Sequence, residues 1–228
     1  MYVMSNSVEY SYLLYGPPCS GKTTVATDLQ RATGADYFSF GHIVRSEAQK
    51  NTEAYRLFKQ YASQQRRFPE DIVVRLVEEN AGDILRKGQG LIFDGFPKHA
   101  GEALSFIRLA EQYHIQLGGI FLIEAPLDVL LQRVQLRRIC DDCLIQTTLV
   151  SSDEQRGCLE CGGQLVMRSE DYPDKFAVKY GFYQQVLSET MDVLANFQSP
   201  VVRIDGNKPV SSVAECIVDS VYALRRLG

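Results

Sequence analysis

Short apolar runs recur along this chain, separated by longer stretches in which apolar residues return every three or four positions. The runs are Tyr10–Tyr15, Asp36–Phe40, Gly90–Asp94, Gly119–Glu124 and Val201–Asp205. Each has strand length and is bounded by polar or turn residues, so each predicts a buried strand. Helical spacing marks Thr24–Arg31, with Val25, Ala26 and Leu29 on its apolar side, and then Asp71–Leu85, Ala100–Tyr113 and Leu127–Arg138. Strands that alternate with helices predict an α/β fold, a parallel sheet flanked by helices. Two segments break the alternation. Gly41–Phe68 is helical, carries many polar and basic residues, and has no strand between its helices. Ile139–Met167 is rich in cysteine, glycine and polar residues. Both read as insertions that fold apart from the sheet. A late apolar helical pattern carries Cys216 and places it in the core.

The first predicted strand runs into Gly16-Pro17-Pro18-Cys19-Ser20-Gly21-Lys22-Thr23, which fits the phosphate-binding P-loop at every fixed position. At average composition those fixed positions match by chance in roughly one chain of this length per hundred. Strand before and helix after is the context the motif requires, so the chain is expected to bind a nucleoside triphosphate on a P-loop NTPase-type sheet. Cys19 fills a variable position of the loop.

Four cysteines carry a second signal. Cys140-Asp141-Asp142-Cys143 is followed, fourteen residues after Cys143, by Cys158-Leu159-Glu160-Cys161. Two such pairs form two tight knuckles that complete a thiolate tetrahedron, the arrangement of a structural zinc site with no open coordination position. Gly162-Gly163 suits the turn after the second knuckle. The alternative is two disulfides or free thiols.

Leu91-Ile92-Phe93-Asp94 is an apolar strand ending in a carboxylate, the form of an aspartate that holds Mg²⁺ or its waters beside phosphates. It continues as Asp94-Gly95-Phe96-Pro97-Lys98. At this distance from a P-loop, that run resembles the adenylate kinase family of nucleoside monophosphate kinases, and the resemblance extends from about Tyr12 to Leu224. The cysteines fall where zinc-bearing members of that family carry a lid insertion, and Gly206-Asn207-Lys208-Pro209-Val210 resembles the family's C-terminal motif. The resemblance implies a core domain (1–40, 69–138 and 172–228), a domain for the monophosphate (41–68) and a zinc-bearing lid (139–171). It implies that Gly16, Ser20, Gly21, Lys22, Thr23, Thr24, Arg133, Arg137 and Lys208 bind ATP, with Arg133 stacked on the adenine. Thr23 and Asp94 would hold Mg²⁺. Lys22, Lys98, Arg137 and Arg168 would neutralise charge on the transferring phosphoryl group, Asp94 would be catalytic through the Mg²⁺ it holds, and Phe40, Arg45, Gly95, Lys98, Glu102 and Lys179 would form the acceptor site. The reaction implied is reversible transfer from MgATP, with AMP as the first acceptor to expect, by a monomer.

The acceptor motif departs from the family pattern. Ser39-Phe40-Gly41-His42-Ile43-Val44-Arg45 keeps the arginine, but Phe40 stands for the usual threonine and His42 for the usual aspartate. Lys98 and Lys179 stand for arginines, which costs the two-pronged fork while keeping the charge. Glu102 stands for a glutamine. An ionised carboxylate offers acceptors only, which suits the two donors on a guanine edge better than adenine. The bland reading of Glu102 is a helical pair with Lys98. Three functions therefore stay open: an AMP kinase, a kinase for another monophosphate such as GMP, and a nucleotide-binding regulatory protein with a decayed acceptor site. Phosphoryl transfer to an ionised phosphate needs no strong base, which argues against one at His42.

Composition narrows the field further. The chain has 228 residues, is 45% hydrophobic and 23% charged, and carries a net charge of −4. That acidic balance argues against a nucleic-acid partner and against an anionic membrane surface. No apolar run approaches the ~20 residues of a membrane span. Met1–Glu9 is polar and lacks the pattern of a signal peptide, so a cytoplasmic location is expected.

Overall fold

The computed structural model describes residues 9–63, 67–151 and 156–227. The polar N-terminal segment, residues 1–8, lies outside them. The predicted alternation folds as one five-stranded parallel sheet in the order β2-β3-β1-β4-β8. The strands are β1 (Tyr10–Tyr15), β2 (Asp36–Ser39), β3 (Leu91–Asp94), β4 (Gln116–Glu124) and β8 (Val201–Asp205). β1 lies at the centre and pairs Leu14 with Asp94 of β3. The P-loop and the acidic strand end thus leave the sheet side by side, at its carboxyl edge, where ligands of open parallel sheets gather.

Helices cover both faces. On one face α1 (Lys22–Thr33) and α8 (Val210–Leu227) pack Val25, Leu29, Val213, Ile217 and Val221 against Tyr12, Leu14, Phe121 and Ile123. On the other, α4 (Glu70–Arg86), α5 (Ala100–Tyr113) and the long α7 (Pro173–Leu194) enclose a core containing Leu13, Phe93, Phe96, Phe106 and Leu122. α2 (Phe40–Gln49) and α3 (Glu53–Ser63) form the helical excursion after β2. α6 (Leu127–Leu136) leads into a small antiparallel sheet of β5 (Arg137–Cys140), β6 (Gln146–Thr148) and β7 (Leu165–Val166), in the order β6-β5-β7. No helix among the described residues is long and apolar enough to cross a membrane.

Three expectations change. Phe40 belongs to α2 and not to the preceding strand, because the Ser39 hydroxyl accepts the His42 N–H at 3.3 Å and starts a helix there. Arg137 and Arg138 leave the helical pattern. α6 ends at Leu136, and Arg137 turns extended to pair with Thr148 across β5 and β6. Cys216 is exposed, since the buried stripe of α8 runs through Val213, Ala214, Ile217 and Val221 and leaves position 216 outside.

The aromatic packing fixes the site's floor. Phe106 of α5 is fully buried and meets the rings of Phe93, Phe96 and Phe197 with centroids 5.2, 6.1 and 5.5 Å away. Phe96 lies in the loop that carries Asp94 and Lys98, so the core supports that loop from below. Phe106→Ala is expected to lower the unfolding free energy by about 3–5 kcal/mol, as other buried phenylalanines do, measured by urea denaturation.

Candidate active site

The P-loop is built around backbone that other residue types resist. Gly21 has φ 95°, and a Cβ there would stand 3.0 Å from Val210 of α8. A Cβ on Gly16 would come within 2.5 Å of the Ser20 hydroxyl and 3.0 Å of the Ile123 carbonyl. Cys19 takes a left-handed φ of 64°. Ser20 is completely buried, and its hydroxyl has no hydrogen-bond partner among the described residues. Lys22 folds back over the loop and donates to the carbonyls of Gly16 at 2.8 Å and Pro17 at 2.9 Å. Burial pulls its ammonium below the usual lysine range, while the Asp94 carboxylate opposes the shift. Thr23 and Thr24 occupy the exposed first turn of α1.

Asp94 ends β3 and is 9% exposed. Its Oδ2 accepts a hydrogen bond from the Tyr37 hydroxyl at 2.7 Å. The Thr23 and Ser39 side chains meet the same hydroxyl. A carboxylate, two hydroxyls and a phenol thus share the space beside Lys22, an oxygen-only donor set of the kind a hard divalent cation takes.

Opposite this group stand the arginines. Arg137 makes a two-pronged ion pair with the buried carboxylate of Asp171: Nε donates to Oδ2 at 2.8 Å, and the second prong runs from Nη2 to Oδ1. Burial opposes the Arg137 charge, and the Asp171 bonds together with the fields of Cys19, Asp171 and Glu170 more than restore it. Arg168 keeps only a loose 3.9 Å contact with Glu170. Its Nε and Nη2 are buried with no partner among the described residues. Burial first, and then the fields of Arg137 and Arg45, push it down to about 10. Arg45 of α2 has a buried Nε with no partner among the described residues. Arg133 spans from α6 to the loop after β8, donating to the Lys208 carbonyl at 3.0 Å while its Nη1 lacks a partner. The Lys208 side chain is exposed. Lys179 of α7 feels Lys98, Arg137 and Arg168 as well as Glu170.

The loop after β3 is held from several sides. The Tyr15 hydroxyl donates to the Pro97 carbonyl at 2.6 Å, and the Phe96–Pro97 peptide is cis. The Lys98 ammonium sits 5.3 Å above the Phe40 ring, and Lys98 and Phe40 both border Gly95. Glu102 is buried and turned inward. Its Oε2 accepts the Lys98 backbone N–H at 2.7 Å, and its Oε1 lies 3.3 Å from His99 Nε2. The His99 Nδ1 in turn accepts the Glu102 N–H at 3.4 Å, closing the start of α5. Neither the base-edge reading of Glu102 nor the Lys98 side-chain pair describes this geometry. The carboxylate bonds the Lys98 backbone and the neighbouring imidazole. His42 points outward as an exposed residue.

The cysteines converge as their spacing predicts. All four sulfurs lie within 4.8 Å of one another, with Cys140 and Cys161 at 3.4 Å and Cys143 and Cys158 at 3.6 Å. Zn–S bonds of about 2.3 Å in a tetrahedron place sulfurs nearly 4 Å apart, so the four fit such an ion. The cysteines are free thiols, which sets the disulfide alternative aside. Each knuckle has a left-handed residue, Leu144 at φ 61° and Gly162 at φ 78°.

Structure therefore gathers Lys22, Asp94, Arg45, Lys98, Arg137, Arg168 and Lys179 around one region. It also adds two residues that sequence reasoning passed over. Asp171 carries no local motif, and its partner is 34 positions away. Tyr37 looked like one more aromatic in a strand. A set of cations with unpartnered donors beside an oxygen cluster suits a ligand with several phosphates and a divalent ion.

A family model for adenylate kinase matches residues 14–199. A protein named adenylate kinase from Thermoanaerobacter pseudethanolicus is 29% identical over 214 residues, covering 90% of this chain and 94% of its own. One of the same name from Symbiobacterium thermophilum is 28% identical over 217 residues, with 93% and 99% covered. Another, from Alkaliphilus oremlandii, is 30% identical over 216 residues, with 92% and 97% covered. Similarity that runs through the sheet and through both excursions from it decides the assignment: the chain belongs to the adenylate kinase family and is a nucleoside monophosphate kinase.

Proposed function

We propose that this chain transfers the γ-phosphoryl group of MgATP to AMP, reversibly, to give two ADP. The observation that carries the reading is the set of buried guanidinium N–H groups on Arg45, Arg133 and Arg168 that have no partner among the described residues. Each unmade bond costs about 1–3 kcal/mol, and phosphate oxygens supply the missing acceptors.

On the donor side, Lys22 and the loop amides through Thr24 hold the β- and γ-phosphates, with Gly16, Ser20 and Gly21 letting the backbone approach. Thr23 and Asp94 would hold Mg²⁺, which when bound would offset the negative charge of the triphosphate. Arg133 lies against the adenine, anchored on the loop of Lys208. On the acceptor side, Arg45, Lys98 and Lys179 grip the monophosphate, and Phe40 and Gly95 form the adjoining wall. Arg137, aimed by Asp171, and Arg168 close on the phosphoryl group in flight. The division into core (1–40, 69–138, 172–228), acceptor domain (41–68) and lid (139–171) follows from this layout. The Gln49 amide, 2.9 Å from the carbonyls of both Asp141 and Asp142, supports closure of the acceptor domain on the lid. The four cysteines hold structural zinc in that lid.

AMP is favoured because the Glu102 carboxylate is occupied by the Lys98 N–H and His99. It is not free to read a guanine edge, and the relatives bear the name adenylate kinase. In a coupled assay with ATP, kcat/KM for AMP is expected to exceed that for GMP, CMP and UMP by at least about tenfold, a 1.4 kcal/mol preference. Glu102→Gln is expected to leave that order intact; a shift toward AMP would restore the base-edge role, and no turnover with any acceptor would leave a regulatory protein.

Purified under reducing conditions, the protein is expected to carry one zinc per chain by elemental analysis, and Cys158→Ser to lower it. Fewer than about half an equivalent in the parent protein sinks the assignment.

Lys179 is pressed down to about 8, by dehydration first and then by Lys98, Arg137 and Arg168, with Glu170 opposing. A lysine is charged below its pKa and neutral above it, so the grip on the acceptor weakens as pH rises. kcat/KM for AMP, which reports the free enzyme, is expected to fall several-fold between about pH 7 and pH 9. kcat should change less, since bound phosphate restores the charge. Lys179→Arg should flatten the alkaline limb; an unchanged limb assigns it to another group.

A further inference from the structure

Asp94 stands among cations yet pairs with none of them. Lys22 and Arg45 both feel its charge. A carboxylate on a free rotor in that setting would turn into an ion pair, because a charge-assisted bond is roughly twice as strong as a neutral one. No salt bridge to Asp94 forms among the described residues. Its Oδ2 instead accepts a hydrogen bond from a neutral phenol, Tyr37, at 2.7 Å, from the neighbouring strand.

The geometry of the sheet explains why that phenol can reach. β2 and β3 run parallel with Ser39 opposite Asp94 and Tyr37 opposite Ile92. Tyr37 therefore starts two residues before the partner of Asp94, and its ring lies along the strand direction so that the hydroxyl arrives at the carboxyl edge. There it also meets the Thr23 and Ser39 side chains. Burial and the adjacent carboxylate push the phenol well above the usual tyrosine range. It keeps its proton and acts as a donor toward Asp94. Position 42, close by in sequence, offers no second carboxylate; His42 is exposed.

We propose that Tyr37 is the positioning residue for the divalent cation: its hydroxyl pins Asp94 Oδ2, holds the carboxylate away from Lys22 and Arg45, and leaves Oδ1 for the waters of the metal. The inference rests on the reading of Thr23 and Asp94 as the Mg²⁺ site. Loss of Tyr37 acts through Asp94: the carboxylate turns toward Lys22 and Arg45, which then compete with the metal for it.

The test uses Mn²⁺ as the probe, followed by electron paramagnetic resonance in the presence of the protein and ATP, with no acceptor added. Tyr37→Phe is expected to weaken Mn²⁺ binding to the protein–ATP complex about fivefold, the loss of one hydrogen bond of about 1 kcal/mol. The Mg²⁺ concentration for half-maximal phosphoryl transfer should rise by the same factor, while KM for the monophosphate and the thermal midpoint stay near the parent values. In an Asp94→Asn background, the same substitution should have no further effect on Mn²⁺. Parent-like Mn²⁺ affinity in Tyr37→Phe overturns the proposal, even if activity or thermal stability falls. So does a full effect of Tyr37→Phe when Asp94 is already Asn. Absence of turnover with every monophosphate counts against the proposed reaction, whereas the Mn²⁺ measurement needs no acceptor and bears on Tyr37 by itself.

Discussion

Like charge crowded into one place is the constraint on which this structure depends. Lys22, Arg45, Lys98, Arg137, Arg168 and Lys179 act on one another electrostatically. A protein that only had to fold would keep them apart in water. Here the sheet edge, α2, the β5 strand and α7 bring them together, and only part of the charge is answered internally. Asp171 neutralises Arg137, backbone carbonyls take up Lys22, and an aromatic face lies under Lys98. Arg45 and Arg168 keep buried N–H groups with no acceptor among the described residues. The unliganded site therefore carries an electrostatic cost that a polyphosphate relieves. Charge developing on a transferring phosphoryl group relieves it further, which is how binding becomes catalysis.

The parts of the chain governed by local rules were readable in advance. β1 and β8 match their predicted bounds, and α5 does as well, because apolar period and turn residues agree at those places. The P-loop, Asp94 and the four cysteines were likewise readable, since each depends on residues close together in the chain. What failed depends on distant partners. Arg137 continues a helical pattern in sequence, but a carboxylate beyond the cysteine segment draws it into an extended conformation. Phe40 is the local exception: it extends an apolar run, but the hydroxyl just before it caps a helix. Asp171 and Tyr37 have no signature because their roles exist only once β2, β3, β5 and the turn before α7 are assembled.

Glu102 shows where chemical reasoning from a single residue stops short. The donor and acceptor count of a carboxylate against a purine edge is sound. It presupposes that the side chain faces the ligand. Position 102 lies three residues after the cap of α5, where amides at the helix start lack partners and attract carboxylates. His99 caps the helix and Glu102 reaches back to the Lys98 amide, so the local demand is met first. The consequence falls on Lys98 all the same. By fixing the Lys98 backbone, Glu102 decides where that ammonium projects above Phe40 and Gly95. Glu102 thus acts on the shape of the loop rather than through a free carboxylate.

The cysteine cluster is joined to the same region through backbone. Arg45 and Gln49 lie four residues apart on α2 and so share one face of it. Gln49 grips the carbonyls of Asp141 and Asp142, the two residues between Cys140 and Cys143. The direction of those carbonyls is fixed by the cysteines that bracket them. Whatever clamps the sulfurs together also orients the acceptors that Gln49 needs, and Gln49 in turn fixes the helix that carries Arg45. A cluster whose sulfurs take no part in the cation site thereby helps set the position of one of its arginines. Two loose knuckles would offer Gln49 a moving target, and the free energy of closure would go into ordering them first.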